Sequence, residues 1–176
     1  MHTRELIHTA LMVALCVALG YLMAGVPNVE LISAAIFACG ALSGVRRGAL
    51  VGLLAELIYA GMNPYGISPP PLFLAQLCGM AAIGAAGGTL RRVDASRAWA
   101  AQVLFAGSSG FLLTLFYDLL TNSAIYVTVR ESSSWAAVVL AGLSFPFPLA
   151  HPLGNSVGFA LLVPAVRRAV PHRSVA

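Results

Sequence analysis

Eight polar side chains stand in or beside long apolar runs, and their types are the ones best suited to chemistry. They are Glu30, Glu56, Asn63, Gln76, Asp118, Asn122, His151 and Asn155. A carboxyl, amide or imidazole group in apolar surroundings is costly unless it has a partner or water. The three acids are the sharpest case, because their runs contain no arginine or lysine to pair with them. They must be protonated, hydrated or in contact with a ligand.

Spacing places several of these side chains on shared helix faces. The sets in register are Thr114, Asp118 and Asn122 at i, i+4 and i+8; Glu56 and Asn63 at i and i+7; and His151 and Asn155 at i and i+4. One pocket lined by these faces would explain them all. For His151 and Gln76, a hydrogen bond between helices explains the residue equally well. The uncompensated carboxyl groups favour a solute that brings positive charge or several hydrogen-bond donors.

The elements that must position these residues are membrane helices. The chain is 59% hydrophobic and only 9% charged, whereas an average soluble domain has roughly 25% charged residues. In lipid the apolar runs must form helices or a closed barrel, and these runs do not alternate as barrel strands do. The predicted spans lie near Leu6–Ala24, Asn28–Gly44, Gly48–Met62, Pro71–Leu90, Ala98–Val129 and Trp135–Val166. The sequence thus predicts an all-α integral membrane protein: a bundle of six transmembrane helices forming one solute-binding domain over residues 1–176.

Two of these spans need comment. The fifth and sixth are too long for one simple crossing. Pro146 and Pro148 should break the sixth into a short outer piece and a spanning helix from about Pro148.

The arginines orient this bundle. The chain has ten arginines and no lysine, and in a six-span arrangement nine arginines fall on one side, with only Arg130 opposite. Positive charge marks the cytoplasmic side. Both termini are therefore expected in the cytoplasm of a multi-pass protein of the plasma membrane, and no arginine cluster is large enough to bind nucleic acid.

Cysteine spacing and the first helix have simple interpretations. Cys16, Cys39 and Cys78 lie in apolar runs and lack the spacing of a metal site, so no metal and no cofactor is expected. The first helix carries a smooth strip of small side chains that another helix could approach closely: Ala10, Ala14 and Ala18. Packing within the protein explains such a strip unless something else indicates a partner.

Several segments resemble the substrate-binding S components of energy-coupling factor (ECF) transporters, an ABC-type importer family. These small membrane proteins have about six helices and no ATPase of their own. The similar segments are Pro27-Asn28-Val29-Glu30-Leu31-Ile32, Asn63-Pro64-Tyr65-Gly66 with Pro69-Pro70-Pro71, Tyr117-Asp118-Leu119-Leu120-Thr121-Asn122, and His151 with Asn155. Together they run over most of the chain.

The resemblance implies a function and partners. A vitamin or related micronutrient would be captured from outside by the outer helix ends and loops, which adds Asn28, Tyr65 and Tyr117 to the candidate binding residues. The S component would dock on a membrane T component coupled to two cytoplasmic ATPases. In that family an Ala-x-x-x-Ala strip on the first helix is used for docking, and Ala10, Ala14 and Ala18 match it. Such a protein is not an enzyme.

Two other interpretations remain open. Gly107-Ser108-Ser109-Gly110 and His151-Pro152-Leu153-Gly154 followed by Gly158 look like the serine and histidine motifs of rhomboid proteases, in which a Ser–His pair cleaves peptide bonds within the membrane. Against this, Ser109 should lie in the inner half of its helix, whereas rhomboid chemistry occurs near the outer face. A non-binding membrane assembly protein is the third interpretation, and it leaves the three acids unexplained.

Overall fold

The structure is a computed structural model, and it describes residues 3–26, 28–63, 66–90, 98–129, 134–144 and 149–170. Over these ranges the chain forms helices and no strands. The helices are α1 Thr3–Met23, α2 Leu31–Ser43, α3 Val45–Gly61, α4 Pro70–Thr89, α5 Trp99–Val129, α6 Trp135–Leu143 and α7 Ala150–Ala169. Three of them, α1, α4 and α5, are long and apolar enough to cross a membrane, which is consistent with a helical membrane protein.

Local sequence explains where these helices begin and end. Gly44 separates α2 from α3 with a φ of 93°, a left-handed conformation that glycine adopts without steric cost, and its N–H donates to the carbonyl of Gly40. Prolines open α4, where their missing N–H groups cost nothing. The Ser134 hydroxyl caps α6 by accepting from the Ala137 N–H.

The predicted break in the sixth apolar run is confirmed, because α6 ends at Leu143 and α7 begins at Ala150. Pro146 and Pro148 themselves lie outside the described residues. The predicted start of the second helix at Asn28 is wrong by three residues. Asn28 has a φ of 59° and Glu30 is extended, so neither residue can belong to α2.

Glycines bring α2, α3 and α4 into close contact. A Cβ atom at Gly48 would overlap the carbonyl of Gly84, and a Cβ at Gly84 would overlap the carbonyl of Gly48. Gly40 on α2 meets the same carbonyl of Gly84, so three helices converge with backbone against backbone. Only residues without a side chain permit this approach. This convergence is called the glycine contact below.

Contacts between helix termini define two ends of the bundle. Arg47 near the start of α3 pairs with Glu5 near the start of α1, and α3 begins against Gly88 at the end of α4. Arg168 at the end of α7 lies over the ring of Trp99 at the start of α5, 4.3 Å from its centroid. The arginines within the described ranges all lie at this end, which is called the arginine end below: Arg4, Arg46, Arg47, Arg167 and Arg168.

At the opposite end, called the acid end below, α2 and α7 begin. Helices α5 and α7 run antiparallel between the two ends. Ser156 on α7 donates to the carbonyl of Gly107, and Phe159 packs on Gly110. This pairing carries the first turns of α7 past residues 114–118 of α5, beside the start of α2.

Candidate functional site

The Asn155 amide connects three helices at the acid end. Its side chain is buried on α7, and its Nδ2 lies 3.3 Å from the Ser33 hydroxyl of α2 and 3.2 Å from the Thr114 hydroxyl of α5. Its Oδ1 accepts from the backbone N–H of Glu30 at 3.2 Å, which satisfies a donor at the start of α2. Asn155 therefore fixes how α2, α5 and α7 meet.

His151 stands one turn before Asn155 and lies between two acids. Its Nδ1 is 2.7 Å from an Asp118 carboxylate oxygen, a distance at which the N–H donates to the acid. Its Nε2 is 3.2 Å from the Asn155 Nδ2 and 3.6 Å from Glu30 Oε2. A neutral imidazole accepts from Asn155 through Nε2, and an imidazolium turns that nitrogen into a donor that faces Glu30. One ring thus links both acids.

Two further predicted residues lie beside this group. Glu56 on α3 is 1% exposed, its Oε2 has no hydrogen-bond partner in the described structure, and it is within electrostatic reach of Glu30. Tyr117 is buried on α5, where its ring packs on Gly79 of α4, and it is within electrostatic reach of Glu30, Glu56 and Asp118. The three acids predicted from sequence therefore gather in one region with two other predicted residues, and this group is called the acid cluster below: Glu30, Glu56 and Asp118 with His151 and Asn155.

In the part of the chain that the structure describes, no arginine balances the charge of the acid cluster. His151 forms the ion pairs recorded for Glu30 and Asp118, and within the described ranges no arginine pairs with any of the three acids. Even with a charged His151, three carboxyl groups face one cation. The cluster must hold protons, water or a cationic partner to be stable in apolar surroundings.

A cavity of about 180 Å³ adjoins the cluster and has Glu30 in its wall. It lies between the end of α1, the start of α2 and the end of α3, and its wall includes Asn28, Glu30, Gly20 and Tyr59. Tyr59 is held in place by Tyr21, whose hydroxyl donates to the Tyr59 carbonyl and whose ring lies 5.1 Å away between centroids. The cavity thus combines a carboxyl group with aromatic surface, a combination suited to a small organic ligand.

The other predicted residues that the structure describes are not among those that line the cavity. Asn63 follows the end of α3, and its carbonyl accepts from the Gly66 N–H. The Asn122 side chain packs on Gly142 of α6, so α6 covers that part of α5. Gln76 lies on α4 one turn before Gly79, and its Oε1 is a buried oxygen without a described partner. Tyr65 lies outside the described residues.

Sequence reasoning missed Ser33 and Tyr59. Tyr59 follows Glu56 by three residues on the same face of α3, and Ser33 follows Glu30, the residue just before α2, by three. That spacing was the available signal. A serine or a tyrosine in an apolar helix is common enough that the signal did not stand out.

The serine of the protease-like motif is far from His151. Asn155 meets Thr114 and His151 meets Asp118, so the His151 ring lies nine residues along α5 from Ser109, about 13 Å at 1.5 Å per residue. The Nδ1 of His151 is engaged by Asp118. This geometry does not bring Ser109 and His151 together as a nucleophile and its base.

The alanine strip faces outward. Ala10, Ala14 and Ala18 are all exposed on α1, whereas Val13 and Cys16 on the opposite side pack into the core. The strip is therefore not used for packing within the described chain. It is available to lipid or to another protein.

No protein-family model, curated protein or solved structure matches the chain significantly. Among the side chains that the structure describes, no group of three or more His, Cys, Asp or Glu is arranged to hold a metal ion.

Proposed function

We propose that this chain is the substrate-binding S component of an energy-coupling factor importer, and that it binds a small cationic or donor-rich solute at the acid cluster. The observation that carries the proposal is the grouping of Glu30, Asp118 and His151, with Glu30 in the wall of a cavity and no arginine among the described residues paired with the acids. A vitamin or a related micronutrient with an amino or other cationic group has the required chemistry.

The charge of the cluster supports a cationic solute. A bound cation would offset the carboxylates of Glu30 and Asp118 and would leave His151 neutral, with its Nε2 accepting from Asn155. Without the solute, His151 can carry the charge itself and face Glu30. His151 thus offsets part of the negative charge in the solute-free state, and a bound cation would take over that role.

The size of the cavity limits the solute. A volume of about 180 Å³ is below the roughly 300–1,000 Å³ of typical sites for drug-sized ligands, so a small molecule or one part of a larger molecule fits it. Tyr59 supplies a ring face against which a planar or cationic group can pack.

We also infer a six-span bundle in the plasma membrane with both termini in the cytoplasm. This orientation places the arginine end inside and the acid end toward the outside. The inference rests on the arginine distribution in the sequence, and the gathering of the described arginines at one end of the bundle supports it. A solute would then enter the cavity from outside.

The partners proposed for this function are a membrane T component and two cytoplasmic ATPases. The outward position of Ala10, Ala14 and Ala18 supports docking through α1, because a strip of small side chains lets a second helix approach closely. The cavity lies at the other end of the bundle from Ala10.

The docking proposal predicts the effect of Ala14→Trp. The bulky ring should prevent close approach, so co-purification with the T component should fall strongly while solute binding by the isolated chain is unchanged. Leu15→Trp is a matched control, since Leu15 is exposed on the same helix but is not in the i, i+4 row of the strip. Equal assembly of both variants with the T component would contradict docking through the strip.

The binding proposal is tested by purifying the protein in nanodiscs and identifying retained small molecules by mass spectrometry. Affinity for the identified solute is then measured by calorimetry for the wild type and for Asp118→Asn. This change keeps the size and removes the charge, so the loss of one charge-assisted hydrogen bond should cost about 1.5–3 kcal/mol, roughly 10- to 150-fold in affinity.

Ser109→Ala is the matched control on the same helix, and its solute affinity should equal that of the wild type. Unchanged binding by Asp118→Asn would remove Asp118 from the site. A peptidase activity that is lost in Ser109→Ala would favour the protease interpretation instead.

A further inference from the structure

A second concave surface lies between α5 and α7, apart from the acid cluster. It is an open groove of about 530 Å³, and its wall includes Val103, Gly107 and Phe111 of α5 with Ser156 and Ala160 of α7. Gly107 lowers one wall of the groove because it has no side chain. The Ser156 hydroxyl donates to the Gly107 carbonyl, so it is already engaged. The groove wall carries no charged side chain.

A cation lies beyond the groove at the arginine end of the bundle. Val103 follows Trp99 by four residues and Ala160 precedes Arg168 by eight, so the contact between Trp99 and Arg168 lies one to two turns beyond the groove along the same seam. Arg168 is exposed, and Trp99 is 41% exposed. Both side chains are therefore accessible at the surface of the bundle.

The dimensions match one leaflet of a bilayer. From Trp99 to Phe111 the seam runs twelve residues, about 18 Å along α5. Half of a hydrocarbon core of about 30 Å is about 15 Å. The tryptophan and the arginine then stand at the level of the lipid headgroups, where aromatic rings and snorkelling cations are typical.

We propose that this groove holds an acyl chain of an anionic phospholipid, whose phosphate is bound by the guanidinium of Arg168 beside Trp99. Among the described residues, the surface combines an uncharged apolar seam with one exposed cation, Arg168, at its end. An anionic lipid has the complementary form, an apolar chain with one negative end, and basic pockets between membrane helices bind such headgroups. The inference does not depend on which solute the acid cluster binds.

Quenching of tryptophan fluorescence by brominated lipids tests the proposal. Trp135→Phe leaves Trp99 as the single tryptophan, and this variant is reconstituted into phosphatidylcholine vesicles that contain either brominated phosphatidylglycerol or brominated phosphatidylcholine at equal mole fraction. Quenching of Trp99 should need a mole fraction of brominated phosphatidylglycerol about threefold to fivefold lower than that of brominated phosphatidylcholine. This is the advantage that one arginine near the surface is expected to give to an anionic lipid. Added salt should reduce the difference.

Three further variants in this background separate the lipid site from simpler explanations. Arg168→Gln should abolish the preference for the anionic lipid, and Arg168→Lys should retain most of it because the charge remains. Arg46→Gln is the matched control, since Arg46 is an exposed arginine at the same end but away from the groove, and its preference should equal that of the parent.

The groove itself is tested with Ser108→Phe, because Ser108 is exposed on the groove wall and a ring there fills the space without entering the core. It should weaken quenching by both lipids. Equal quenching by the two lipids in the parent, or an unchanged preference in Arg168→Gln, would mean contact with bulk lipid only and would overturn the proposal. Unchanged quenching in Ser108→Phe would equally overturn the role of the groove.

Discussion

The two ends of the bundle are built from different kinds of contact. Toward the arginine end, Gly40, Gly48 and Gly84 let α2, α3 and α4 meet with backbone against backbone. At the acid end, α2, α5 and α7 meet through the Asn155 amide and the His151 ring, with a cavity beside them. Close apolar packing tolerates no change of shape, whereas a polar cluster with alternative protonation states can accommodate a ligand. If the proposed function holds, this difference divides stability and binding between the two ends of the bundle.

The largest expected effect concerns which end faces outward. Cysteines are introduced singly at Ser68, in the loop before α4, and at Ser96, between α4 and α5 and outside the described residues, in a background that lacks Cys16, Cys39 and Cys78. A membrane-impermeant maleimide should label Ser68→Cys in intact cells and Ser96→Cys only after permeabilisation. Labelling of Ser96→Cys from outside would reverse the orientation and place the acid cluster toward the cytoplasm.

The next largest effect tests the rigidity of the glycine contact. Gly48→Ala adds a methyl group that overlaps the Gly84 carbonyl, so α3 and α4 must separate, and we expect a loss of about 3 kcal/mol or more in stability. Thermal unfolding of the purified protein, followed by circular dichroism, measures this. Gly61→Ala on the same helix meets open space and should be neutral or stabilising by up to about 1 kcal/mol. Similar unfolding of both variants would mean that the glycine contact is not tight.

The positions of the helices could be predicted because apolar runs, proline and glycine act locally. The interruption between α6 and α7 could be predicted from Pro146 and Pro148, because proline ends or breaks a helix. The start of α2 could not be predicted in this way. Asn28 adopts a left-handed conformation, and its carbonyl lies against Gly154 of α7, a contact 126 residues away in sequence. Long-range packing decides such a boundary.

The residues of the acid cluster could also be picked out from the sequence, but the contacts between them could not be predicted. Uncompensated acids and i, i+4 spacing indicated Asp118 and His151 separately. Spacing fixes the face that a residue occupies on its own helix, but the rotation of one helix against another depends on packing of the whole bundle. For the same reason Asn122 shares a face with Asp118 and yet packs on Gly142 of α6.

A smaller effect on stability than that of Gly48→Ala is expected at Asn155, and it separates binding from folding at the acid end. Asn155→Leu keeps a similar volume and removes the contacts to Ser33, Thr114, His151 and the Glu30 N–H. The two hydroxyls can turn toward carbonyls of their own helices, as Ser33 already does toward Glu30, so stability should fall by only about 1–3 kcal/mol. Solute affinity should fall about tenfold or more, because His151 and Glu30 lose the group that positions them.

Ser156→Ala is the control for Asn155→Leu, because Ser156 is the next residue of α7. It removes a hydrogen bond to Gly107 away from the cluster and should cost about 1 kcal/mol in stability with no change in affinity. Calorimetric binding and thermal unfolding are measured for both variants. An equal loss of affinity in the two would show that binding follows the general stability of α7, and the division of roles between the two ends would then fail.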